Sequence, residues 1–128
     1  MSRSHKSNRY GTLAERQAIE QYPDLELDRS SWNDARRDDG SPVEIKAAMM
    51  EHRDGQPGTF KLYERYHRRL RAAGGFYLFV VYRPQGRGIE IKRMALSHSS
   101  QVPRLSWHGG GDHRSTRQAK VQIGEIFG

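Results

Sequence analysis

The chain has 128 residues, 34% of them hydrophobic and 29% charged, and its 22 Lys and Arg against 15 Asp and Glu leave a formal charge of +7. That length suits one domain with a small core, for which a homodimer is a reasonable expectation, and the positive excess favours a polyanionic partner if it gathers on one face. No apolar stretch approaches the roughly 20 residues that span a bilayer, and no apolar leader follows the polar start, which fits a soluble cytoplasmic protein with no membrane partner; the absence of cysteine removes disulfides and thiolate zinc sites.

Residues 1–9 are polar and basic, with Arg3, Lys6 and Arg9, and read as a flexible basic arm ahead of a single domain over 10–128. Thr12 followed by Glu15 fits a capping box. Ala14, Ala18 and Tyr22 stand at helical spacing before Pro23, so a first helix is expected from about Leu13 to Tyr22. Short extended pieces follow: Leu25 to Leu27, Trp32 to Arg36 and Val43 to Met49. The turn between the last two is Asp38-Asp39-Gly40, with the acids as turn formers. A three-residue hairpin loop with Gly40 in the left-handed conformation sets Arg37 opposite Ser41 and Asp34 opposite Glu44. Directly opposed residues have Cβ atoms about 4.5–5.5 Å apart, so the two carboxylates come within reach of one cation.

After the break at Gln56-Pro57-Gly58, Thr59 is expected to cap a second helix from about Phe60 to Ala73. Phe60, Tyr63, His67 and Leu70 lie at helical spacing, Lys61, Arg65, Arg68 and Arg69 lie on another side, and Gly74-Gly75 stops the helix. Phe76 to Tyr82 is an uninterrupted apolar run, expected to be a strand buried on both faces. Arg83 to Gly88 reads as a turn, and Ile89 to Lys92 alternates like a strand with one wet face. Residues 97–116 are loop-rich and show no periodicity, and Lys120 to Phe127 reads equally as a final strand, with Val121 and Ile123 on one face, or as a dimerising or frayed tail. The order predicts an α/β fold with a central mixed β-sheet flanked by helices.

The chemistry concentrates in Asp34 and Glu44-Ile45-Lys46. On a strand, Glu44 and Lys46 share one face while Val43 and Ile45 point to the other. Phosphodiester hydrolysis needs neutralisation of the scissile phosphate and a hydroxide near neutral pH. Two carboxylates suit Mg²⁺ or Mn²⁺, hard cations that retain waters, and Lys46 would polarise such a water or pair with the phosphate.

These residues, with Glu15 on the upstream helix, resemble the PD-(D/E)XK nuclease superfamily and, within it, the archaeal Holliday junction resolvases. Asn33 stands where the motif's name has proline. The resemblance covers Tyr10 to about Ile91 and implies a restriction-endonuclease-like core. It implies Asp34 and Glu44 as metal ligands, the Ile45 backbone carbonyl as a third, Lys46 as the catalytic lysine and Glu15 in support. The implied function is a divalent-metal-dependent DNA endonuclease, with branched or four-way DNA as substrate. Arg9, Lys61, Arg65, Arg68 and Arg69 are the candidate DNA-binding residues.

Plainer readings stand beside these. Glu15 would serve only the Thr12 capping box, Asp34 would be a strand-edge acid, and Glu44 with Lys46 a solvated ion pair worth little. His98, His108 and His113 match no zinc-site spacing and read as a loop touching nucleic acid. A restriction-type or nicking endonuclease shares the same core, and a non-enzymatic basic nucleic-acid-binding protein is the rival from another class.

Overall fold

A computed structural model describes residues 5–27, 33–109 and 116–128, with the side chains of the first helix described from residue 10. The apolar run beginning at Phe76 becomes the central strand. In chain order the elements are α1 (His5–Gln21), β1 (Glu26–Leu27), β2 (Ala35–Arg36), β3 (Pro42–Met49), β4 (Thr59–Tyr63), α2 (Glu64–Ala72), β5 (Phe76–Gln85) and β6 (Gly88–His98). A 3₁₀ turn at Ser99–Gln101, then β7 (Gln118–Gln122) and α3 (Ile123–Phe127), complete them.

Five strands form one mixed sheet in the order β1-β2-β3-β5-β6. β3 and β5 run parallel, with Glu44 beside Tyr77 and Lys46 beside Phe79, while the other neighbours are antiparallel. A parallel pair requires a crossover, supplied here by β4 and α2. The expected α/β architecture, a central mixed sheet flanked by helices, is what the chain adopts.

Both faces of β5 are covered, which explains its unbroken apolar sequence. On one face Val43, Ile45, Leu78 and Val80 pack with Ala14 and Ala18 of α1. On the other, Ala48, Tyr77, Phe79 and Val81 pack with Phe60, Leu62, Leu70 and Val121. A fully buried large side chain contributes roughly 1.5–3 kcal/mol, so these two clusters are the main favourable term holding the sheet between its layers. Among the described residues no helix is long and apolar enough to cross a membrane.

Four local expectations are corrected. The first helix starts at His5, not Leu13, so the arm expected over residues 1–9 is helical from His5 onward. The anchor is Tyr10, which packs on the core with its ring 5.9 Å from that of Tyr82. Thr12 and Glu15 therefore lie inside the helix and form no capping box at its start. The second helix begins at Glu64, because Thr59 to Tyr63 is a strand paired antiparallel with β7. Phe60 and Leu62 are both fully buried, an alternation of period two. β6 runs on to His98, its Met94 and Leu96 packing on the α1 side. The final strand ends at Gln122, and Ile123–Phe127 is helical with a Gln122–Glu125 capping box. Trp32, expected to open a strand, lies outside the described residues, as does Arg3 of the arm.

Candidate active site

The β2–β3 hairpin positions the two acids. Arg37 N–H donates to the Ser41 carbonyl at 2.9 Å, Gly40 N–H donates to the Arg37 carbonyl, and Gly40 has φ of +88°. The pairs Arg36↔Pro42 and Ala35↔Val43 continue the expected register, so Asp34 and Glu44 are next in line. There the backbone ladder ends. Asp34 N–H still donates to the Val43 carbonyl at 3.0 Å, but the next donor on β3, Ile45 N–H, goes to the Asp34 carboxylate (Oδ2, 2.8 Å). Asn33, 2% exposed, fixes the bend by donating its side-chain amide to the Ala35 carbonyl at 2.9 Å. The carboxylate of Asp34 is thereby held against the edge of β3 at Ile45. A strand residue presents its N–H and C=O to the same side, so the Ile45 carbonyl faces this edge too.

Glu44 and Lys46 lie on the other-than-α1 face of β3, in line with Ala48 and beside Tyr77 and Phe79. Lys46 Nζ is 3.3 Å from Glu44 Oε2, and each side chain is only 16% exposed. A pair so withdrawn from water is not the solvated surface pair of the plainer reading. The Lys46 ammonium also sits 5.1 Å from the centroid of the Tyr63 ring, a cation–π contact that orients it.

Behind these groups is a buried polar pair that sequence reasoning missed. Tyr77 is 2% exposed and His67 8%, and their Oη and Nδ1 are 2.7 Å apart. Burial, then the nearby charge of Glu44, pushes the Tyr77 hydroxyl far above its ordinary pKa, so it stays protonated. Burial, reinforced by Arg71, lowers His67 below its usual value and keeps it neutral. A neutral imidazole accepting at Nδ1 from the tyrosine satisfies both groups.

The remaining candidates are spread more widely than one helix face. Glu15 belongs to α1, which packs on the sheet face opposite Glu44 and Lys46. Among the described residues no three of His, Asp and Glu gather as a metal-binding group, so the structure does not draw Glu15, Asp34 and Glu44 into one cluster. Arg9 is part of α1, but its side chain lies outside the described residues. Lys61 is an exposed residue of β4 rather than of a helix, whereas Arg65, Arg68 and Arg69 are exposed on α2. Arg68 pairs with Glu64 at 3.0 Å, and Glu64 also receives Nε and Nη2 of Arg117, each at 2.7 Å. These bonds, Arg117 foremost, hold the Glu64 carboxyl below the usual range despite its burial. In the His-rich segment, His98 Nδ1 accepts the Ser100 N–H at 3.1 Å, His108 bridges to Gln118, and His113 lies outside the described residues.

Asp34 and Glu44 offer carboxylate oxygens and Ile45 a backbone carbonyl, all of them hard oxygens. This chemistry fits a small divalent cation that keeps part of its water shell. A family model described as the PD-(D/E)XK nuclease superfamily domain matches residues 1–128. No curated protein and no solved structure gives a significant match.

Proposed function

Because this chain belongs to the PD-(D/E)XK nuclease superfamily, we propose that it is a divalent-metal-dependent DNA endonuclease whose chemistry is carried by Asp34, Glu44 and Lys46. The observation that supports this most is the termination of the β2 ladder by the Asp34 carboxylate, which accepts the Ile45 N–H next to the withdrawn Glu44–Lys46 pair. An acid with no chemical role gains little by replacing a strand's own carbonyl at that position.

In this reading the chain works as one nuclease domain, in which Asp34, Glu44 and the Ile45 carbonyl hold Mg²⁺ or Mn²⁺. The bound ion supplies charge neutralisation at the phosphate and a water acidic enough to ionise near neutral pH. Lys46 donates to the attacking water and to a non-bridging phosphate oxygen, and Tyr63 keeps its ammonium aimed. Tyr77 and Phe79 floor the site and exclude bulk water, which strengthens these electrostatic interactions. α1 packs on the far face, so Glu15 acts in support of the site rather than as a direct ligand beside Glu44.

The proposed substrate is branched or four-way DNA, cut by a homodimer resembling the archaeal Holliday junction resolvases. The support is the resemblance of Glu15, Asp34 and Glu44-Ile45-Lys46 to those enzymes, together with the chain's formal charge of +7. The test is single-turnover cleavage of labelled four-way and linear DNA of identical sequence with Mg²⁺, Mn²⁺ or Ca²⁺. Cleavage of the four-way substrate in preference, with Mg²⁺ or Mn²⁺ but not Ca²⁺, supports the reading. Equal cleavage of both redirects it to a nicking or restriction-type enzyme, and no cleavage of either overturns it.

A further inference from the structure

We propose that the outward face of the β4–β7 ribbon is the track along which a DNA backbone runs into the site, an inference that rests on the nuclease reading above. The inward residues of the ribbon, Phe60, Leu62, Ala119 and Val121, are all buried. The alternate residues pair as Thr59↔Gln122, Lys61↔Lys120 and Tyr63↔Gln118, and this face carries no acid.

Directly opposed like charges destabilise an antiparallel pair. Lys61 and Lys120 are so opposed, both exposed, and neither is ion-paired among the described residues. An anion seated between them turns that repulsion into attraction, and a phosphate has the required charge. The contrast with α2 is informative, because Arg68 already shares Glu64 with Arg117.

The face also has direction and shape. At its inner end is Tyr63, in contact with Lys46. Beside it, His108 extends the ribbon by bridging to Gln118. Ser106, His108, Gln118 and Lys120 line a depression of ≈ 430 Å³. Hydroxyl, imidazole, amide and ammonium groups are the donors that phosphate and sugar contacts use.

The test is equilibrium binding of fluorescent DNA by anisotropy across a salt series without divalent metal, so that cleavage does not intervene. Each phosphate contact contributes about 0.7–0.9 to the slope of log K against log salt. The Lys61→Gln/Lys120→Gln variant, which removes the one phosphate seat between the two lysines, is expected to lower that slope by about 0.7–0.9. An Arg83→Gln/Arg87→Gln variant, with the same charge loss at the exposed β5–β6 hairpin, is expected to leave it unchanged. An unchanged slope in the lysine variant, or equal changes in both variants, overturns the track. If the wild type still cleaves DNA in Mg²⁺, only the track has failed. If it neither binds nor cleaves DNA, the track and the nuclease reading fall together.

Discussion

Asp34→Asn and Asp34→Ala separate the structural role of this side chain from its chemical one. The carboxylate accepts the Ile45 N–H at 2.8 Å, and Ile45 is 7% exposed. Alanine leaves that donor without its partner, at a cost of about 1–3 kcal/mol. Unfolding entropy is about 2.1 cal/mol/K per residue, so a chain of 128 residues changes by roughly 0.27 kcal/mol per kelvin near its midpoint. The alanine variant should therefore melt about 4–11 °C lower. Asparagine retains an acceptor oxygen in nearly the same volume, and its loss should be less than half of that. Both variants should be inactive, because neither presents a carboxylate to a cation. Calorimetric melting beside a cleavage assay gives both readouts. The reasoning is refuted if Asn and Ala destabilise equally, or if the Asn variant cleaves like wild type.

Two further changes probe the site's supports. Glu64 has a depressed pKa in the folded chain, so its contribution to stability is complete above the ordinary value of 4.5 and is lost as pH falls through the depressed one. Glu64→Gln should melt below wild type at pH 7, with the gap closing in melts taken down to pH 3; a constant gap would contradict the assignment. Tyr77→Phe strands the buried His67 Nδ1 and should cost about 1–3 kcal/mol, whereas adding His67→Leu should restore part of the loss by removing the stranded acceptor. A Tyr77→Phe variant that melts like wild type would show the hydrogen bond to be energetically idle.

Much of this geometry is legible in the sequence, and the reasons for the rest are physical. The hairpin register follows from local turn chemistry, since Asp38-Asp39-Gly40 admits few loop types, and with it comes the alignment of Asp34 and Glu44. The strand at Phe76 is equally plain because a doubly covered strand has no polar alternation to show. β4 is hidden because Phe60, Tyr63, His67 and Leu70 fit a helical period while Phe60 and Leu62 also fit a strand. Its partner β7 lies far along the chain, so no local signal decides between them. The Tyr77–His67 pair is hidden for a related reason: it joins β5 to α2 through the packing of the helix on the sheet, which sequence alone does not fix. The early start of α1 depends on Tyr10 meeting Tyr82, again a tertiary contact.

The most direct test of the central claim, that two carboxylates and a lysine on the β2–β3 hairpin form a divalent-metal hydrolytic site, is Mg²⁺ titration by calorimetry paired with DNA cleavage. Wild type, Glu44→Ala and Lys46→Ala would be compared on one four-way substrate. Wild type should bind the ion and cut. Glu44→Ala should do neither while still binding DNA, and Lys46→Ala should bind the ion but cut poorly, since its carboxylates remain. Undiminished cleavage by Glu44→Ala would place the active site elsewhere on the chain.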